Sequence, residues 1–182
     1  MSPRRVLVFA LATQGLLIVI ASGASRIMAL SPVWGQPMRD LAIGLVAALL
    51  LAGVNYWLLA RAPENWIVRG VRAVYDEMLI PLFARLDRLG IVAIGAAAGL
   101  GEEWLFRGVL QPVLGFWLTS LLFGLAHVGG IRMLPFGVWA TGMGLVMGGL
   151  AIATGGLIAP IVAHGVYDML ALEYIRRGER VE

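Results

Sequence analysis

The chain has 182 residues, of which 60% are hydrophobic and only 14% are charged, and its mean hydropathy is +0.87. Soluble domains are nearer half apolar and a quarter charged, so the composition excludes an ordinary soluble domain and predicts one all-α, polytopic membrane domain over residues 1–182. The absence of cysteine excludes disulfides and cysteine-based chemistry. The net charge of +3 comes from arginines that flank the apolar segments, a distribution that argues against nucleic-acid binding.

Six apolar segments are predicted to cross the membrane, because a spanning helix needs about 20 mostly apolar residues. The fourth segment is short for a span. The first segment has small residues near its end and is therefore also compatible with a cleaved signal peptide, although an uncleaved helix fits the topology better. The predicted spans are residues 6–24, 41–60, 91–114, 116–128, 134–153 and 156–174.

The arginines predict the orientation of these spans, since cytoplasmic loops carry an excess of basic residues. Six spans place both termini on the same side. With a cytoplasmic N-terminus, only Arg26 and Arg39 lie outside, and Arg107 lies within the membrane. We therefore predict a multi-pass protein of the cell (inner) membrane with both termini in the cytoplasm. Its cytoplasmic arginines are Arg4, Arg5, Arg61, Arg69, Arg72, Arg85, Arg88, Arg132, Arg176, Arg177 and Arg180.

The segment between the second and third spans is predicted to be an amphipathic helix on the cytoplasmic surface. Apolar residues recur at helical spacing from Ile67 to Leu86, with charged residues between them, and Pro81 is expected to divide the helix. Such a helix either anchors the loop or guides a substrate. The domain is thus expected to comprise the first two spans (1–63), this connector (64–90) and a catalytic core (91–175).

Two adjacent acids, Glu102 and Glu103, lie inside the third span, where ionisable residues are costly and usually functional. Glu103 and Arg107 are four residues apart with the acid first, which favours a supporting ion pair. Glu102 is rotated by about 100° from Glu103 on a helix, so it is free to face a cavity and act as a general base. The alternative is that both acids belong to a buried charge network.

The two histidines of the chain lie in two other apolar segments. His127 follows Phe123 on one helix face, and a single histidine in such a segment is often structural. His164 and Asp168 share a face of the last span. Their spacing suits two metal ligands, an acid that orients a histidine, or a structural hydrogen bond. With the predicted topology, Glu102 and these three residues can all meet in the cytoplasmic half of the bilayer.

Three motifs in these segments resemble those of the CPBP family, also called the CAAX prenyl endopeptidase or Abi family. Glu102 to Arg107 matches its EExxxR motif, Phe123 to His127 its FxxxH motif, and His164 to Asp168 its HxxxN/D motif, in the family's order. The resemblance covers residues 91–174. It implies an intramembrane endopeptidase that cleaves a membrane-associated or lipid-anchored protein or peptide, with the lipid bilayer as its other partner.

The resemblance also implies roles for the motif residues. Glu102 and His127 would activate a water molecule, while His164 and Asp168 would stabilise the oxyanion. An ionised aspartate cannot donate a hydrogen bond, so Asp168 is either protonated or orients His164. We favour a mechanism without a cofactor. The alternative is a Zn²⁺ site whose ligands are Glu102, His127, His164 and Asp168.

Two other classes of function fit the same residues. The first is a non-catalytic immunity or partner-binding membrane protein, in which the polar side chains only hold the helices together. The second is a proton- or cation-coupled transporter, since intramembrane acids and histidines can relay protons. The small number of spans and the lack of an inverted repeat count against the transporter.

Overall fold

The computed structural model describes residues 1–178, which form seven helices and no strand. The all-α membrane bundle predicted from composition is confirmed. The helices are α1 (Pro3–Ile27), α2 (Pro37–Ala60), α3 (Trp66–Val74, continued by Tyr75–Leu79 and Ile80–Phe83), α4 (Arg88–Leu114), α5 (Phe116–Ala126), α6 (Ile131–Thr154) and α7 (Ile158–Arg177).

Five of these helices are long and apolar enough to cross a membrane by length and composition: α1, α2, α4, α6 and α7. The predicted fourth span is the shorter apolar helix α5. Some helices begin or end at residues other than those predicted from hydropathy, because a capping side chain determines where the helix starts. Helix α4, for example, begins at Arg88 because the Asp87 side chain accepts a hydrogen bond from the Gly90 N–H at 2.7 Å.

The crossing of α4 and α7 positions the polar residues of the bundle. A Cβ atom on Gly99 would lie only 2.5 Å from the Ile161 carbonyl oxygen, and one on Gly165 would lie 2.9 Å from the Gly95 oxygen. Small residues allow this close approach of two helix backbones. The crossing brings Glu103 on α4 beside His164 on α7. Helix α7 also packs against α2, while α1 packs on the other side of α4.

The connector between α2 and α4 is helical and packs on α6. Its buried face contains Val68, Val71 and Val74. Arg72 donates hydrogen bonds to the carbonyl oxygens of Leu58 and Ala62 at 3.0 Å each, which satisfies acceptors that the end of α2 leaves free.

Pro81 was expected to divide this connector, but the helical run continues through it to Phe83. A π turn, Tyr75–Leu79, immediately precedes the last helical piece. The wider π turn changes the local hydrogen-bond register, so the missing N–H of the proline does not end the helix.

Candidate active site

Glu102, His127, His164 and Asp168 all line one cavity of about 270 Å³. They come from α4, from the residue that follows α5, and from α7. The structure therefore brings together the four residues that were predicted from distant segments of the sequence.

The carboxylate of Glu102 faces this cavity, and its side chain is 14% exposed. Its Oε2 lies 3.9 Å from Nε2 of His127 and 4.0 Å from Nε2 of His164. These distances exceed hydrogen-bond range, so a small group between the carboxylate and the two imidazoles can contact all three. Oε1 of Glu102 has a different neighbour, since it accepts a hydrogen bond from Nε2 of Gln14 at 2.8 Å.

Glu103 is fully buried and lies between two cationic or protonatable groups. Its Oε2 is 3.2 Å from Nε of Arg107, and its Oε1 accepts a hydrogen bond from Nδ1 of His164 at 2.7 Å. The contact with Arg107 is an ion pair without hydrogen-bond alignment. The spacing predicted the pairing of Glu103 with Arg107 but did not identify His164, because residue spacing reports neighbours on the same helix and not a partner on α7.

Arg107 is also fully buried and has further contacts on α5 and α6. Its Nη2 donates to the Gly144 carbonyl oxygen at 2.9 Å, and its guanidinium carbon lies 4.6 Å from the centre of the Phe123 ring. This cation–π geometry adds to the ion pair, and both side chains are buried. The guanidinium thus connects α4 to the helix that leads into His127.

The hydrogen bonds of the two histidines determine which ring nitrogen faces the cavity. Nδ1 of His127 lies 2.8 Å from the Phe123 carbonyl oxygen, one of the acceptors left free at the end of α5. Because carbonyl and carboxylate oxygens accept, Nδ1 carries a proton in both His127 and His164. Both Nε2 atoms are therefore directed at Glu102 and are available for proton transfer.

Asp168 lies on the cavity side of His164, with its Oδ2 3.6 Å from Nε2 of that ring. The Nδ1 position, where an orienting acid would bond, is occupied by Glu103. Orienting His164 was one of the two roles left open for Asp168. In the structure, Glu103 and not Asp168 is placed to orient that ring. Asp168 instead faces the space into which a reacting group would fit.

The remainder of the cavity wall is mostly apolar and comes mainly from α3, α6 and α7, with Ile94 of α4 and Phe123 of α5. Phe136, Met143 and Met147 line it on α6. On α3, the Tyr75 hydroxyl is hydrogen-bonded to Asn55 of α2 at 3.0 Å. Burial raises the pKa of Tyr75 to about 12, so this hydroxyl is protonated at neutral pH.

The helix that bears the acids changes geometry directly after them. Trp104–Leu110 is a π-helical segment, whereas a regular α-helix was predicted throughout. π turns inside α-helices occur frequently at functional sites. The π segment contains Arg107, and Glu102 and Glu103 precede it.

Comparison with known proteins identifies a family model that matches part of the chain. Residues 84–170 match the family model described as type II CAAX prenyl endopeptidase Rce1-like, and this segment contains all three motifs. The family predicted from the three motifs is thereby confirmed.

One relative extends the similarity beyond the matched segment. The chain is 25% identical to the uncharacterized protein YpbD of Bacillus subtilis (strain 168), over 92% of each chain. No solved structure matches the chain.

Gln14, which contacts Glu102, was not predicted from the sequence as a residue of this site. It is the only amide or ionisable residue between Val6 and Ala24, so the sequence did contain a signal. Nothing in that signal indicates which polar group of another helix the amide contacts.

Replacement of Glu103 by Gln is expected to destabilise the protein by about 3–5 kcal/mol, because it leaves Arg107 buried without its counter-charge. Thermal unfolding in detergent measures the effect. The double variant Glu103→Gln/Arg107→Met should recover most of the loss, and Glu102→Gln should unfold close to wild type. Wild-type stability of the single Glu103 variant would contradict this account of the ion pair.

Proposed function

We propose that this protein is an intramembrane endopeptidase that hydrolyses a peptide bond of a membrane-associated or lipid-anchored protein or peptide. The observation that carries the proposal is the convergence of Glu102 Oε2 and two imidazole Nε2 atoms, 3.9 and 4.0 Å away, on one cavity. The match of residues 84–170 to the model of a family described as endopeptidases supports it.

In the proposed reaction, Glu102 and His127 position a water molecule beside the scissile carbonyl carbon. Glu102 takes one proton from this water while the water oxygen forms a bond to the carbon. Collapse of the tetrahedral intermediate breaks the C–N bond, and the proton passes to the departing nitrogen. The products are a new carboxylate and a new amine.

His164 has the position to stabilise the oxyanion of that intermediate. A protonated His164, with Glu103 as its counter-charge at Nδ1, donates a hydrogen bond from Nε2 into the cavity. One preorganised donor of this kind contributes about 3–4 kcal/mol in a site that excludes bulk water. Asp168 acts as a second donor when it is protonated.

The substrate is proposed to be anchored in the membrane, because the cavity wall beyond the polar residues is largely apolar. An apolar peptide segment or an attached lipid fits such a wall, whereas a soluble polar peptide would leave its own groups without partners there. The family description names a CAAX prenyl endopeptidase, which makes a prenylated CAAX peptide the first probe to test.

The alternative of a zinc site fits the geometry less well. Two neutral imidazoles that direct Nε2 at a carboxylate and donate from Nδ1 do resemble zinc ligands with their supporting acceptors. Within residues 1–178, however, no group of three or more His, Asp or Glu side chains is arranged to hold a metal ion. We therefore keep the metal-free mechanism as our proposal.

Treatment with a chelator distinguishes the metal-free mechanism from a zinc site. Cleavage by purified protein is expected to stay within about twofold of its initial rate after incubation with a strong zinc chelator, since no step of the proposed mechanism uses a metal. Loss of the activity, followed by its return on addition of Zn²⁺, would assign the four residues to a metal site instead.

The principal variant for the proposed function is Glu102→Gln, which removes the general base and keeps the side-chain shape. We expect at least about a 100-fold loss of cleavage with normal expression and thermal stability. Proteomics of membranes from cells with this variant should reveal an uncut precursor. Glu77→Gln, a matched change at an exposed acid on α3, should leave cleavage unchanged.

A non-catalytic immunity or partner-binding protein predicts a different result for the same pair of variants. In that case any effect of Glu102→Gln follows a loss of expression or stability, and no precursor accumulates. Normal cleavage by a folded Glu102→Gln protein would reject Glu102 as the base.

The orientation is likewise proposed from the arginine distribution, with both termini in the cytoplasm of an inner-membrane protein. Arg180, one of the arginines that support it, lies outside the residues that the structure describes. A reporter that is active only in the cytoplasm, fused after residue 182, should be active. Activity of a periplasmic reporter at that position would reverse the assignment.

A further inference from the structure

Helix α1 contributes a side chain to the site although it lies outside the residues that match the family model. Its Gln14 donates a hydrogen bond from Nε2 to Oε1 of Glu102 at 2.8 Å. The amide is partly buried, so this contact is only weakly exposed to competition from solvent. The carboxylate of Glu102, which faces the cavity, is therefore hydrogen-bonded to a side chain of α1.

The two oxygens of Glu102 consequently have separate surroundings. Oε1 is bonded to Gln14, whereas Oε2 faces the Nε2 atoms of His127 and His164. The last torsion of a glutamate side chain is broad and, without a partner, permits rotation of the carboxylate. A hydrogen bond to one oxygen restricts this rotation and keeps the other oxygen directed at the imidazoles.

An amide is chemically suited to this position. It is neutral, so it neither cancels the charge of the base nor exchanges a proton with it. Its NH₂ group must face an ionised carboxylate, because the amide oxygen would meet the carboxylate oxygen with like partial charge. In this orientation Oε1 of Gln14 is buried without a hydrogen-bond partner, a condition that few buried polar atoms in proteins show.

Gly101, the residue before Glu102, allows the contact between α1 and α4. A Cβ atom on Gly101 would lie 3.0 Å from both the main-chain oxygen and the side-chain Oε1 of Gln14. Glycine at this position therefore allows α1 to approach α4 at the level of Glu102.

We infer that Gln14 is a positioning residue, which holds Glu102 with Oε2 directed at the two imidazoles. The inference rests on the proposed endopeptidase function, because it assigns Gln14 a role in setting the geometry of the base.

The chain offers a matched control for its test. Gln111 on α4 also donates one interhelical hydrogen bond through Nε2, to the Gly148 oxygen at 3.2 Å, and its Oε1 is likewise buried without a partner. The comparison is therefore between Gln14→Met and Gln111→Met in the full-length protein in lipid vesicles. The probe is a fluorogenic peptide that spans the cleavage junction of the precursor found with Glu102→Gln.

We expect Gln14→Met to lower kcat by about 10- to 100-fold with KM within about twofold, since misplacement of a catalytic group affects the chemical step more than binding. Gln111→Met should keep kcat within about twofold, even where both variants lower the melting temperature equally. Gly101→Ala should also lower kcat, because the added methyl group displaces Gln14. If Gln14→Met does not fold, Gly101→Ala replaces it as the test variant.

Wild-type kcat in folded Gln14→Met or Gly101→Ala would overturn the inference. An equal loss of kcat in Gln111→Met would also overturn it, since the effect would then be one of general helix packing. Failure of the proposed function gives a separate result, in which wild type and Gln111→Met themselves cleave no peptide.

Discussion

The site depends first on the buried carboxylate of Glu103. It meets a guanidinium on its own helix and an imidazole on α7, and its side chain has no exposed surface. A buried charge is tolerated only when it is paired, so this carboxylate requires α4 and α7 to meet in one register. Glycines at the crossing permit that approach, and the bond to Nδ1 of His164 turns the other ring nitrogen toward the cavity.

The adjacent residues Glu102 and Glu103 are chemically identical but have different environments. Glu103 points into the packed interface, while Glu102 is 14% exposed and points at the cavity. The difference arises from the rotation of one residue along a helix. A shift of α4 by one residue would remove both carboxylates from these environments. The contacts of Arg107 and the α4–α7 crossing fix the rotation of this helix.

Hydropathy was sufficient to predict the helical bundle, because long apolar segments have few alternatives in a membrane. The resemblance in motifs predicted from the sequence alone that one site contains Glu102, His127, His164 and Asp168. Spacing along one helix also suggested the pairing of Glu103 with Arg107. The bonds from Glu103 to His164 and from Gln14 to Glu102 were not predictable in this way, because periodicity identifies the face of a helix and not the residue opposite. The π geometry after Glu103 likewise has no signature in the apolar pattern.

The parts of the site differ in how far they can adapt. Near the acids, α4 and α7 touch through main-chain atoms at Gly99 and Gly165, where no rotamer exists to change. Met143 and Met147, which line the cavity on α6, have flexible, polarizable thioether side chains. The methionine side chains can thus change rotamer while the helix crossing that places Glu103 beside His164 keeps its spacing. Adaptable side chains and a rigid backbone contact therefore occupy different parts of one site.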